Sequence, residues 1–105
     1  MDRRNPPITI TNTQNANTLT IALEGRLDTT TAPELEQEIK NVPDGVTELI
    51  MDFAKLSYIS SAGLRVLLSA HKMMMKKGGM KVTHANEMVM EVFEVTGFSD
   101  ILTIE

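Results

Sequence analysis

The residues with the clearest chemical promise are Ser60 and Ser61. They stand where the apolar run Leu49-Ile50-Met51-Asp52-Phe53 and a short connection give way to a helical pattern. A helix start leaves backbone N–H groups without partners and carries the positive end of the helix dipole. Such a place tolerates negative charge and can hold a phosphate. A serine hydroxyl there either caps the helix or serves as a phosphorylation switch. Arg65 follows Ser61 at i+4, within reach of a phosphate or simply solvated. Asp28 lies ahead of an earlier helix start and is either a turn-forming residue or part of a docking surface. Gly63 is costly in a helical first turn, which implies close approach of another backbone.

Signals for catalysis are weak. Ser69-Ala70-His71-Lys72 matches S-x-x-K by letter, but no S-D-N or K-T-G partner accompanies it. His71 and His84 are isolated, with no metal-ligand spacing and no histidine placed with a carboxylate. No G-x-x-x-x-G-K-[S/T] phosphate loop is present. Nucleotide binding or slow hydrolysis is the enzyme-class alternative, and it lacks a phosphate cradle. No cofactor is expected.

Composition narrows the class further. A chain of 105 residues makes one domain, here residues 1–105, with a real core. The net charge of -4 argues against direct binding to nucleic acid, which needs a dense positive field. The absence of cysteine removes disulfides, thiolate nucleophiles and thiolate metal sites together. The leader Met1-Asp2-Arg3-Arg4-Asn5-Pro6-Pro7 has the charge of a signal peptide without the apolar stretch, and no segment reaches membrane-spanning length. The expectation is a cytoplasmic protein with no membrane partner.

The elements that must position the serines read as follows. Ile8-Thr9-Ile10-Thr11 and Thr18 to Gly25 alternate as strands, joined through the polar stretch Asn12–Asn17 as a hairpin. Thr31-Ala32-Pro33-Glu34 signals a capped helix start, and that helix ends near Asn41. A central strand over 49–53 follows, then a long helix to about Lys77. Leu64, Leu67, Leu68, His71 and Met75 share one of its faces, with Arg65, Ser69, Lys72 and Lys76 on another. The Met73-Met74-Met75 cluster reads as adaptable packing material. A strand over 80–84 leads to a helix over 86–96, with Val89, Val92, Phe93 and Thr96 inward and Gly97 as its left-handed cap. Residues 101–104 form a last short strand. The order β-β-α-β-α-β-α-β, with right-handed crossovers, predicts an α/β fold: a mixed sheet of four to five strands with helices mainly on one side.

Three segments together resemble the STAS domain family, and within it the anti-sigma factor antagonists. Gly25-Arg26-Leu27-Asp28 with Thr31-Ala32-Pro33-Glu34-Leu35 is similar to the family's "G-x-L-D … A-P-x-L" segment. Asp52-Phe53 with Tyr58-Ile59-Ser60-Ser61-Ala62-Gly63-Leu64 is similar to its strand, loop and phosphorylation site. Glu91-Val92-Phe93-Glu94-Val95-Thr96-Gly97-Phe98 resembles its final helix and cap. The element order agrees too, and the likeness covers almost the whole chain.

The resemblance implies a regulator, not a catalyst. Its partners would be an anti-sigma factor that is a serine kinase of the histidine-kinase-like ATPase type, and a serine phosphatase. The family's modified serine stands two residues before the motif glycine, which here is Ser61. Ser60 then becomes the cap, and Asp28, Ser60, Gly63 and Arg65 the partner or phosphate surface. The chain departs from the family twice, with Ser60 where an aspartate is frequent and Ala62 where a second hydroxyl is frequent. STAS-like regulatory parts of transporters and lipid-transport complexes are the alternative within binding modules.

Overall fold

The computed structural model describes residues 7–105. The charged leader through Pro6 lies outside the described residues. The elements run β1 (Ile8–Asn15), β2 (Thr18–Leu27), α1 (Ala32–Lys40), β3 (Glu48–Ile59), α2 (Ser61–Met75), β4 (Gly79–Thr83), α3 (Glu87–Thr96), a 3-10 turn at Phe98–Asp100, and β5 (Thr103–Ile104). Strands lie in chain order across one sheet, β1 antiparallel to β2 and every later pair parallel. Each parallel step therefore needs a crossover helix, and successive right-handed crossovers moving one way across a sheet put all three helices on one face. Among the described residues, no helix is long and apolar enough to cross a membrane.

The core fills the space between that face and the helices. Leu19, Ile21, Leu23 and Leu27 of β2 and Leu49, Met51, Phe53, Leu56 and Ile59 of β3 point into it. The opposite face of the sheet carries exposed residues such as Thr9, Thr11 and Glu24.

Several elements depart from their sequence reading. β1 continues to Asn15, because Asn12–Asn15 pair with Thr18–Ile21 although their side chains are polar and exposed. The turn narrows to Ala16-Asn17, with Ala16 at a φ of 56°. β3 does not stop at Phe53 but reaches Ile59. Its inward spacing changes from two residues to three after Phe53, and two register shifts against β2 accommodate the extra residues. Local bulges of this kind bend a strand and re-aim its side chains.

Met75 is 66% exposed and Met74 takes its place in the core. Thr96 is exposed, and its hydroxyl donates to the Val92 carbonyl at 2.7 Å. β5 is confined to two residues, with the preceding chain coiled into the 3-10 turn. Gly97 caps α3 at a φ of 83°, as expected of a left-handed terminator.

Candidate functional site

The carboxyl ends of β2 and β3 converge beside the start of α2. Their last residues pair, Leu27 with Ile59, and the Ser60 N–H donates to the Leu27 carbonyl at 2.9 Å. This pairing brings the Asp28 loop and the two serines to one rim of the molecule, although they are far apart in sequence.

At that rim Ser60 caps α2. Its backbone is extended, and its hydroxyl oxygen accepts from the Gly63 N–H at a long 3.4 Å. Ser61 is the first helical residue, and it is exposed. The two hydroxyls are thereby separated in role: one is spent on the helix and the other faces solvent. The first turn of α2 contains no acidic residue, whereas those of α1 and α3 carry Glu34 and Glu87. The positive end of the α2 dipole is thus left uncompensated by a carboxylate of its own first turn. A dianionic group on Ser61 would be favoured there by about 0.3–1 kcal/mol.

Asp28 organises the loop. Its Oδ1 accepts from the Thr30 hydroxyl at 2.8 Å, the Thr30 N–H at 3.0 Å and the Thr31 N–H at 3.2 Å. The Thr30 hydroxyl is the largest influence and outweighs the opposing effect of desolvation; with the backbone donors added, the carboxyl is held below its ordinary pKa. The turn-forming role left open by the sequence is therefore real, with Oδ2 directed elsewhere, 3.7 Å from Arg26 Nε. Thr31 does not cap α1 through its side chain. Its buried hydroxyl donates to the Arg26 carbonyl and accepts from the Asp28 N–H, both at 2.8 Å. The tight loop is closed by these bonds, so the capping box expected at Thr31 gives way to an Asp28-centred turn.

Gly63 is buried instead of lying on the partner surface. A Cβ at this position would come within 2.8–2.9 Å of Leu27 side-chain atoms and 3.0 Å of Ile59 Cγ1. The close neighbours are side chains, not a second backbone as the sequence suggested. Arg65 is exposed one turn beyond Ser61 and lines a shallow groove of about 220 Å³ between α1 and α2, with Thr29 and Glu36 on the facing wall. Asp28, Ser60, Ser61 and Arg65 thus cluster at one end of the molecule, with Gly63 beneath them.

Two residues of this rim were not singled out from the sequence. Arg26 and Tyr58 are register partners across β2 and β3, with the guanidinium carbon 5.0 Å from the ring centroid. Arg26 lies within the Gly25-Arg26-Leu27-Asp28 motif, and alternation against buried Leu27 was a usable signal that it faces outward. Its pairing with Tyr58 was hidden by the register shift.

His84, isolated in sequence, does meet a carboxylate. Parallel pairing of Asp52 with Thr83 brings His84 Nδ1 to 3.2 Å from Asp52 Oδ1. No nucleophile joins the pair in those contacts. Among the described residues, no group of three or more His, Cys, Asp or Glu side chains could hold a metal ion.

Comparison with known proteins agrees with this geometry. The sequence profile of the STAS domain family matches residues 9–105. The chain is 30% identical over 92 residues to the anti-sigma-B factor antagonist of Bacillus subtilis, covering 87% of this chain and 84% of the relative. Its fold is similar to that of an anti-sigma factor antagonist from Mycobacterium paratuberculosis, with a TM-score of 0.84 at 24% identity over 92% of this chain and 84% of the other. It is also similar to the Bacillus cell fate determinant SpoIIAA, solved in its phosphorylated form. There the TM-score is 0.73 at 20% identity, covering 92% of this chain and 91% of the other. At these identities the structural likenesses establish the fold.

Proposed function

The chain belongs to the STAS domain family, and from that footing we propose that it is an anti-sigma factor antagonist switched off by phosphorylation of Ser61. Unmodified, it binds an anti-sigma factor that is also a serine kinase of the histidine-kinase-like ATPase type. The complex releases the sigma factor. Phosphate on Ser61 dissolves the complex, and a serine phosphatase restores the active form. The setting is the cytoplasm, with no direct contact to nucleic acid or membrane and no catalysis by the chain itself.

The observation that carries this reading is the division of labour at the start of α2. Ser60 supplies the cap, and Ser61 is exposed at a helix end with no carboxylate in its first turn. A phosphate there suits the folded domain, so modification need not unfold it. In a close-packed contact the same charge would have to be desolvated, at several kcal/mol. The difference between these magnitudes makes an interface switch possible. The antagonist names of the relatives support the partner class, and the phosphorylated state of SpoIIAA supports the mode of control.

The test is to incubate the chain with ATP and the source organism's histidine-kinase-like serine kinases, then locate the phosphate by peptide mass spectrometry. A single phosphate on Ser61 is expected. Phosphate on Ser60 or Ser57 alone would move the switch to another hydroxyl.

A further inference from the structure

Arg26 is held in an unusual way for a surface arginine. Its side chain is 61% exposed, yet it is fixed on two sides. Beneath it lies the Tyr58 ring at 5.0 Å, and beside it Asp28 Oδ2 at 3.7 Å from Nε. The Asp28 contact is long, and Oδ1 of that carboxylate is already taken by Thr30 and Thr31. The guanidinium is therefore oriented without being closely paired. Tyr58, 39% exposed, is the one aromatic among the exposed large hydrophobic side chains of the described residues.

The strand is shaped to make this pair. Leu56 stands opposite Gly25, but Tyr58 stands opposite Arg26, so Ser57 is the extra residue of a bulge. The Ser57 hydroxyl donates to the Gly25 carbonyl at 2.9 Å and pins the distortion. With regular pairing Ser57 would face Arg26 and the tyrosine would be displaced. Bulges that re-aim side chains are concentrated at functional sites.

We infer that Arg26, laid on Tyr58 and next to Asp28 on the open face of the sheet, at the strand ends that lead to Ser60, is the specificity-determining anchor of the docking surface and receives a carboxylate of the anti-sigma factor. This rests on the antagonist reading above and names the chemistry its partner must present. Arginine and tyrosine dominate interface hot spots because they combine large contact area with directed hydrogen bonds. A guanidinium already immobilised on a ring loses little freedom on binding, and its planar fork matches a carboxylate through two parallel hydrogen bonds. An ammonium lacks that fork. A partner presenting a cation at this point would be repelled, so the same residue selects among related anti-sigma factors.

The experiment uses the source organism's kinase that phosphorylates the wild-type chain, without ATP, and measures Kd by titration calorimetry with melting temperature in parallel. Arg26→Ala should weaken binding at least about tenfold and Arg26→Glu at least about 100-fold, within the range of interface hot spots. Arg26→Lys should recover only part of the loss, whereas Tyr58→Phe, which keeps the ring, should bind nearly as wild type. In a double-mutant cycle the Arg26→Ala and Tyr58→Ala effects should be less than additive, since one group supports the other.

Binding of both Arg26→Ala and Arg26→Glu within about twofold of wild type, while Ser61→Asp fails to bind, would overturn this inference and leave the antagonist reading standing. Full recovery by Arg26→Lys would also overturn it, by showing that charge alone suffices. If wild type binds no such kinase, or Ser61→Asp binds as well as wild type, both readings fall.

Discussion

Gly63 packs directly against Leu27, so closely that a methyl group on the glycine would come 2.8 Å from Leu27 Cγ. Leu27 is fully buried and ends β2, one residue before Asp28. This contact packs the helix turn that carries Ser61 against the strand that leads to Asp28.

The seating predicts the effect of Gly63→Ala. Alanine is favoured over glycine in a helix by about 1 kcal/mol, but overpacking a filled core costs about 1–3 kcal/mol. With Leu27 enclosed and Ile59 buried as well, the steric cost should win. We expect a net loss of about 1 kcal/mol and a melting temperature lower by roughly 4–8 °C. A stabilised variant in thermal unfolding would mean that Leu27 yields space freely.

The two serines should separate by stability. Ser60→Ala removes the cap, and the 3.4 Å bond it makes places the loss at the low end of capping effects, about 0.5–1 kcal/mol. Ser61→Ala removes an exposed hydroxyl and should change stability by less than about 0.5 kcal/mol. Urea unfolding of both variants checks the order. Reversal of the two values would exchange the assigned roles.

Asp28 predicts a pH-dependent stability. The Thr30 hydroxyl and the backbone N–H groups of Thr30 and Thr31 depress its folded pKa below the ordinary carboxylate value. A depressed carboxyl stabilises the fold fully above its unfolded pKa, and loses that contribution as pH falls through the lower, folded value. The advantage of wild type over Asp28→Asn should therefore be constant near neutrality and shrink below about pH 4. Denaturant melts across the acid range measure it, and a difference that does not change with pH would contradict the assigned cause.

Much of the helical architecture was legible because its signals are local. Ser60, Asn86 and Gly97 mark helix ends through hydrogen bonds or backbone angles confined to a few residues. The second half of β3 was not legible in this way. Phe53, Leu56 and Ile59 point inward at three-residue spacing, and that period belongs to a strand only when bulges interrupt it. Thr31 matched a capping residue by type, but Arg26 and Asp28 compete for its hydroxyl and win. The serines were visible as candidates through the helix start. Arg26 and Tyr58 were not seen as a pair, since their meeting depends on one extra residue in the partner strand.

The central claim is that charge on Ser61 abolishes partner binding without disturbing the fold. The direct measurement is the affinity of Ser61→Asp and of the Ser61-phosphorylated chain for the kinase that modifies it, with melting temperatures alongside. Wild type and Ser61→Ala should form a stoichiometric complex. The two charged forms should bind at least about 100-fold more weakly, in line with the cost of an unpaired charge in an interface, and melt within a few degrees of wild type. Undiminished binding by the phosphorylated chain would contradict the account, and so would unfolding of the charged forms.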